Sequence, residues 1–351
     1  MKTGVWLKYL ITNTSILLPV QDSALSVLFH LDTGRYTDIN YHNVFELAKM
    51  SYNVYYQAEQ GKWYDVELNR TVDVSANKDT VHAYLFGNDD YNAIVFKGTS
   101  IYWGSKSMGS DTVYNDKYND NLFFSCCFYQ ESGLFNKQDC ECTATSSPDP
   151  NKCPNEDFNG GKMLQRSFLV QRKCYQECYR SSTNYPLNYY QTAEIVMKKA
   201  SQIVDLDKVL ILSGHSLGGT LATMMGIKYD KQVVTFEAPG EAHYLKLAGI
   251  VSERVNFDKI YHFGHTADII FTGRCNGVFS WCYLGGYIME TKCHLGHVCS
   301  FDSVKRLGIS ESIYTHKIKY VIENIMSHWN NTLPECVLEP ECQDCSEWIY
   351  K

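Results

Sequence analysis

Val209-Leu-Ile-Leu-Ser-Gly-His-Ser-Leu-Gly-Gly-Thr-Leu-Ala222 is the stretch from which the fold is read. It opens with four consecutive apolar residues, Val209 to Leu212, as a strand buried on both faces requires. It runs into Gly214-His215-Ser216-Leu217-Gly218, a G-x-S-x-G pattern, and Leu217 to Tyr229 then suits a helix. The five-residue pattern alone arises too readily by chance to decide anything. Strand, turn and helix in that order give it meaning. The glycines permit a turn too tight for side chains beside the serine. Such a turn lifts the Ser216 hydroxyl clear of the sheet and leaves the Leu217 N–H at a helix N-terminus, where it can stabilise an oxyanion. The plain alternative is a glycine-rich turn carrying an idle serine.

Working outward, Ala193, Val196, Met197, Ala200, Ile203 and Val204 recur at helical spacing. Val233–Phe236 reads as a strand stopped by Pro239-Gly240, and Ile260–Phe263 as another. Ile318 to Met326 suits a closing helix. Upstream, 43–58 suits an amphipathic helix, and Val81–Phe86 and Ala93–Phe96 read as strands joined by a turn at 87–90. Helices alternating with strands predict an α/β fold, a mostly parallel sheet covered by helices, and with the nucleophile turn an α/β-hydrolase. From 104 to 187 the chain is rich in Cys, Asn, Asp, Gly and Tyr, and reads as a disulfide-stapled insertion. The expected organisation is one domain, 36–351, containing that insertion, after an N-terminal segment 1–35. Val5–Val20 is interrupted by Lys8, Thr12, Asn13, Thr14 and Ser15. It matches neither a membrane span of about 20 apolar residues nor the apolar core of a signal peptide. It reads as a poorly ordered start or the remnant of a targeting or anchor region.

The chain has 351 residues, 44% hydrophobic and 20% charged, enough for a sizeable core. A net charge of -7 and the lack of a long basic run exclude a nucleic-acid partner. They do not exclude a membrane surface. The 14 cysteines are clustered, and three sequons stand at Asn13, Asn69 and Asn330. Together they read as a disulfide framework formed in the secretory pathway. The rival is zinc held by Cys342 and Cys345 or by the cluster at Cys140, but no complete finger spacing is present.

A serine nucleophile needs a base, and the base an orienting acid, in the chain order Ser, acid, His. Glu237, Glu241, Asp258, Asp268 and Asp302 are candidate acids. Asp268 fits best, because it lies just beyond the strand ending at Phe263, and catalytic groups gather at the carboxyl ends of such strands. His262, His265, His294, His297, His316 and His328 are candidate bases. His262 and His265 precede the acid, and His294 and His297 lie between Cys293 and Cys299, in what reads as a stapled loop. His316, just before the closing helix, is preferred, and His215 reads as structural. Phe96-Lys97-Gly98-Thr99-Ser100 follows an early strand, so Thr99 is the candidate second oxyanion donor beside Leu217. Tyr102, Trp103 and Met108 read as ordinary packing or as part of a lid or membrane-touching rim.

Phe96-Lys-Gly-Thr-Ser with Gly214-His-Ser-Leu-Gly-Gly resembles the class 3 lipases. Asn115-Asp-Lys-Tyr-Asn-Asp-Asn-Leu, Ser125-Cys-Cys, Phe263-Gly-His-Thr-Ala-Asp, Gly285-Gly-Tyr and Cys293-His are similar to the autophagy-related lipases of the fungal vacuole. The resemblance spans about Asp38 to Trp348. It implies an α/β-hydrolase with Ser216, Asp268 and His316 as its triad. It implies a phospholipase or triacylglycerol lipase, needing no metal or cofactor, that lyses autophagic bodies and multivesicular-body vesicles within the vacuole. It also implies a glycoprotein delivered through Golgi and endosomal membranes by an N-terminal single-pass anchor. No clean anchor precedes Asp22, a departure that bears on delivery and not on chemistry. The alternatives are a soluble carboxylesterase acting on non-membrane esters and a non-catalytic binding module on the same fold.

Overall fold

In a computed structural model the described residues are 38–350, apart from 58–59, 101–111, 128, 133–134, 139–171, 175, 205–207, 253–254 and 278, together with a pair of antiparallel strands, Trp6–Ile11 and Thr14–Pro19. Asn13, Tyr102, Trp103, Met108 and much of 1–35 and of the expected insertion lie outside them.

The main sheet has eight strands: β1 (Arg70–Asp73), β2 (Ala83–Gly87), β3 (Tyr91–Phe96), β4 (Val209–His215), β5 (Gln232–Phe236), β6 (Ile260–His265), β7 (His297–Phe301) and β8 (Cys336–Leu338). Their spatial order is β8-β7-β6-β5-β4-β3-β2-β1. The pairs from β3 to β7 are parallel; β1–β2, β2–β3 and β7–β8 are antiparallel. The turn at 87–90 is where the sequence put it, with the Asn88 side chain accepting from the N–H groups of Asp90 and Tyr91.

The helices are α1 (Tyr41–Asn53), α2 (Val113–Phe124), α3 (Gln176–Ser182), α4 (Tyr189–Ser201), α5 (Leu217–Tyr229) and α6 (Ala242–Leu247), with shorter turns. Strand residues alternate between two apolar cores. Ile94, Phe96, Leu210 and Leu212 face one, with Val196 of α4, Leu221 of α5 and Phe123 of α2. Ala93, Val95, Ile211 and Phe236 face the other, with Val44 and Leu47 of α1 and with Ile322 and Ile325. Each large aliphatic side chain so buried contributes about 1.5–3 kcal/mol over exposure. Covered on both faces, the sheet has the mostly parallel α/β-hydrolase architecture expected. Among the described residues, no helix is long and apolar enough to cross a membrane.

Three local features add to the expectations or differ from them. The stretch from 104, expected as a disulfide-stapled insertion, also contains α2, whose Leu122, Phe123 and Phe124 are fully buried. Its other face buries Asp116, Asn119, Asp120 and Asn121, so apolar periodicity could not reveal it. The closing helix is not regular. Ile318–Tyr320 is α-helical, Val321–Ile325 forms a wider π turn, and Met326–His328 is a 3-10 turn. His297 opens strand β7 instead of lying in a loop stapled at both ends. Cys293 pairs with Cys342 and Cys299 with Cys336, so both cysteines tie to the C-terminal segment.

The other described disulfides are Cys126–Cys345, Cys127–Cys174 and Cys275–Cys282. Cys342 and Cys345 are thus engaged with sulfur partners, which removes the zinc reading for that pair. Three of these five described bonds anchor the segment from Cys336 to Cys345 onto the domain. Closing long loops in this way limits the unfolded chain most.

Candidate active site

Ser216 sits between the end of β4 and the first turn of α5, with φ 56° and ψ -132°. A non-glycine residue held there costs on the order of 1–3 kcal/mol, which the surroundings must offset. They do so by enclosing the turn. The Ser216 N–H donates to Phe236 O of β5 at 3.0 Å, and Gly219 N donates to Ser216 O at 2.8 Å. A Cβ on Gly214 would stand 2.4 Å from the Gly218 backbone, and one on Gly218 would stand 2.2 Å from Phe96 O. Only glycine fits either place.

The hydroxyl of Ser216 lies 2.9 Å from His316 Nε2, and His316 Nδ1 lies 2.7 Å from Asp268 Oδ2. His316 ends the 3-10 turn Ile313–His316, and Asp268 follows β6. The carboxylate fixes the tautomer: Nδ1–H donates to Asp268, leaving Nε2 to accept from the serine. Asp268 is fully buried, while Ser216 and His316 keep 7% and 6% exposure. Burial by itself favours the neutral acid at Asp268. It is outweighed by the charge and hydrogen bond of His316 and by a hydrogen bond from Glu237, so the carboxyl is held below its ordinary range. The Asp268 loop and the His316 turn are joined directly, Ser312 N donating to Ala267 O and Thr315 Oγ1 to the same oxygen at 2.8 Å.

The other candidates are engaged elsewhere. His262 bonds with Thr235 Oγ1 and Leu295 O, His265 with Ser303 Oγ and Thr315 O, and His294 with Ala238 O. His297 stands 3.9 Å from Asp258, and His328 is exposed. Glu241 accepts from Leu295 N, and Asp302 caps a short helix by accepting from Lys305 N. Glu237 is different. It is fully buried beside Asp268, with φ 47°, and His265 N donates to it at 3.3 Å. Burial first, then the neighbouring Asp268 charge, pushes it well above the usual carboxylate range. Both causes favour its neutral, protonated form beside the Asp268 carboxylate.

The Gly98-Thr99 turn lies against the serine: a Cβ on Gly98 would stand 3.1 Å from Ser216 Cβ. The Thr99 hydroxyl donates to Asp120 Oδ2 at 2.7 Å, which fixes its side chain. Leu217 begins α5, where the first N–H groups have no intrahelical partner. Beneath this turn Lys97 is buried, its ammonium 3.5 Å from Asp116 and 2.7 Å from Ser100 Oγ. Asp116 also accepts from Ser100 N, Thr112 Oγ1 and Tyr189 OH.

A second network escaped the sequence reading. His215 is structural, as its place beside the nucleophile suggested, but its job is specific. Its Nε2–H donates to His316 O at 2.7 Å, and its Nδ1 accepts from Tyr55 OH at 2.8 Å. Burial above all lowers it to about 3, so it stays neutral. The Tyr55 oxygen also lies against Gly98, where an added Cβ would stand 2.3 Å from it. Two hydrogen bonds and this contact thus link the Gly98-Thr99 turn to the backbone of His316. Nothing in the spacing of Tyr55, Gly98 and His215 reveals it. Asn69 and Asn330 are both exposed; the Asn69 amide donates to Asp89.

No family model matches the chain. Among curated proteins it is 34% identical over 318 residues to the "Putative lipase ATG15" of Yarrowia lipolytica, covering 88% of this chain and 52% of that protein. To the protein of the same name from Kluyveromyces lactis it is 33% identical over 327 residues, covering 88% and 55%. The chain spans about half the length of these relatives. The resemblance read from its motifs is borne out. Among solved structures, an MDLA mutant of Penicillium cyclopium aligns with 14% identity and a TM-score of 0.32 over 80% of this chain and 81% of that one. Lipase II of Rhizopus niveus aligns with 13% identity and a TM-score of 0.30 over 75% and 80%. Scores this low carry no argument, and the fold rests on the strand order described above.

Proposed function

We propose that the protein is a serine lipase or phospholipase that hydrolyses ester bonds of membrane lipids. The observation that carries this reading is the continuous line of hydrogen bonds from Ser216 through His316 to the buried Asp268. His316 takes the proton of Ser216 as its oxygen attacks the ester carbonyl. Asp268 holds the imidazole in orientation and stabilises its cationic form. The N–H groups of Leu217 and Thr99 receive the oxyanion of the tetrahedral intermediate. The alcohol leaves with the proton from His316. Water, activated by the same imidazole, then releases the acyl chain as a fatty acid and restores Ser216. The residues suffice for this without a cofactor.

The lipid substrate is supported by the similarity to curated proteins named as lipases. Their name, ATG15, supports a role in the lysis of autophagic bodies and related vesicles, and with it a membrane surface as partner. The disulfides fit a chain matured on the secretory route, towards a vacuolar lumen. We further propose 36–351 as a single catalytic domain and Asn13, Asn69 and Asn330 as glycosylation acceptors. A soluble carboxylesterase would share every catalytic residue.

Product analysis on phospholipid and triacylglycerol vesicles tests the reading, beside a short water-soluble ester. Wild-type protein is expected to release fatty acid from vesicles, and Ser216→Ala to release none while staying folded by circular dichroism. Full activity in Ser216→Ala would falsify the nucleophile. Cleavage of the soluble ester alone would favour the carboxylesterase.

A further inference from the structure

Among the described residues, the most exposed large apolar side chains are held in one small loop. Phe279 is 92% exposed, Trp281 73% and Leu284 67%. The Cys275–Cys282 disulfide closes the loop that carries the first two, and the turn Trp281–Leu284 carries the third. Between Arg274 and Glu290 the sequence has no charged residue. Roughly a quarter of residues in an ordinary chain are charged, and surfaces are richer still. An exposed loop without charge and with Phe, Trp and Leu turned outward needs a partner.

The place of this loop identifies the partner. At its start, Arg274 N and Cys275 N both donate to Ile269 O, next to the acid Asp268. At its end, Asn121 clasps it, its Nδ2 donating to Gly286 O at 3.1 Å and its Oδ1 accepting from Ile288 N at 2.8 Å. Asn121 adjoins Asp120, which fixes Thr99 of the oxyanion turn. The loop is therefore bracketed by the two halves of the site, on the carboxyl-end rim where Ser216 opens. Tyr114, at the start of α2, and Tyr314, two residues before His316, are exposed on the adjoining segments at 63% and 58%.

We propose that the stapled loop is the membrane-docking element of this protein, inserting Phe279, Trp281 and Leu284 into the interface of a lipid bilayer. The inference rests on the lipase reading for its purpose, but makes a separate claim about which residues meet the membrane. Trp and Tyr favour the boundary between headgroups and acyl chains, and Phe and Leu reach below it. The disulfide and the Asn121 clasp hold the loop outward in advance, so little order is lost on docking. The net charge of -7 gives no general attraction to anionic lipid, so binding is apolar and nearly independent of salt.

The test uses the full chain carrying Ser216→Ala, so that no hydrolysis disturbs the measurement. Its co-flotation with phosphatidylcholine vesicles is compared with that of the same chain also carrying Phe279→Ser, Trp281→Ser and Leu284→Ser. The loop variant is expected to lose vesicle partition by tenfold or more, at both 0.1 M and about 1 M salt. A Trp281→Phe variant is expected to bind while losing the blue shift of tryptophan emission that vesicles induce. In the catalytic background, the triple variant keeps activity on the short soluble ester and loses it on vesicles. Unchanged partition overturns the proposal even if lipid is cleaved. Wild-type protein that docks through the loop but cleaves no ester overturns the lipase reading instead. Should the triple variant only turn a dimer into a monomer by light scattering, with partition intact, the loop is a contact between copies and the proposal fails.

Discussion

Tyr55 shows how far the site reaches beyond the residues that do the chemistry. Its hydroxyl lies against Gly98, in the turn that carries Thr99, and donates to His215 Nδ1, and His215 holds the carbonyl of His316. Tyr55→Phe leaves a buried imidazole nitrogen without its partner. Leaving such groups unpaired costs about 1–3 kcal/mol, which a shift in the urea midpoint at constant slope would register. Both the turn and the base lose an anchor, so kcat should fall by tenfold to a hundredfold with little change in KM. Ser216, Asp268 and His316 were legible because chain order and strand ends constrain them. Tyr55 and Glu237 were not. Their roles arise from burial and from contacts across distant segments, and a single sequence carries no sign of either.

At the scale of the element, the elbow was legible because its information is local. Four apolar residues, a glycine-flanked serine and a helix are contiguous in the chain, and α5 has the bounds expected, Leu217–Tyr229. Strands β7 and β8 were missed because their pairing is not local: β7 has five residues and follows the loop-like Cys293-His-Leu-Gly296, and β8 has three. The closing helix shows a different limit. Ile318, Val321, Ile322, Ile325 and Met326 follow helical spacing, yet a widened turn keeps the same residues buried. Periodicity over so few residues does not separate the two helix types. The elbow offers a sharp test of packing. A methyl group added at Gly218 meets Phe96 O at 2.2 Å and the Lys97 carbonyl carbon at 2.8 Å, both backbone. Gly218→Ala must push β3 or the oxyanion turn aside. Little folded protein should be recovered, and what folds should be inactive. Gly87→Ala is the control, since its methyl group meets only the Asn92 side chain closely, at 3.3 Å. It should change the melting temperature by no more than a few degrees.

For the whole molecule, the buried ionisable groups set where in pH the fold is most stable. Burial raises four carboxyls: Asp120, Glu237, Glu241, the last to about 8, and Asp344. Burial also lowers five imidazoles: His215 to about 3, His243 and His294 to about 4, and His262 and His265. A buried neutral carboxyl contributes fully below its unfolded value, near 4.3, and loses that contribution as pH rises towards its folded one. A buried neutral imidazole contributes fully above its unfolded value, near 6.5, and loses as pH falls towards its folded one. Between those unfolded values the two sets oppose each other: the unfolded chain gains protons on its histidines while the folded chain keeps them on its carboxyls. Stability should therefore be nearly flat from about pH 4.5 to 6.5. Above about pH 7 the histidines no longer contribute a slope, and each carboxyl still protonated only in the folded state costs about 1.4 kcal/mol per pH unit. Below about pH 4 the histidines dominate, joined by Asp268, whose lowered value makes it lose stability in the same direction. Melting temperatures measured from pH 3 to 9 should trace a plateau in mild acid with a fall on both sides. A maximum near pH 8 would show that the carboxyls around the site are ionised in the folded protein, and that Glu237 supports Asp268 in some way other than as a hydrogen-bond donor. A plateau in mild acid would arise from the opposed burial of these carboxyls and imidazoles.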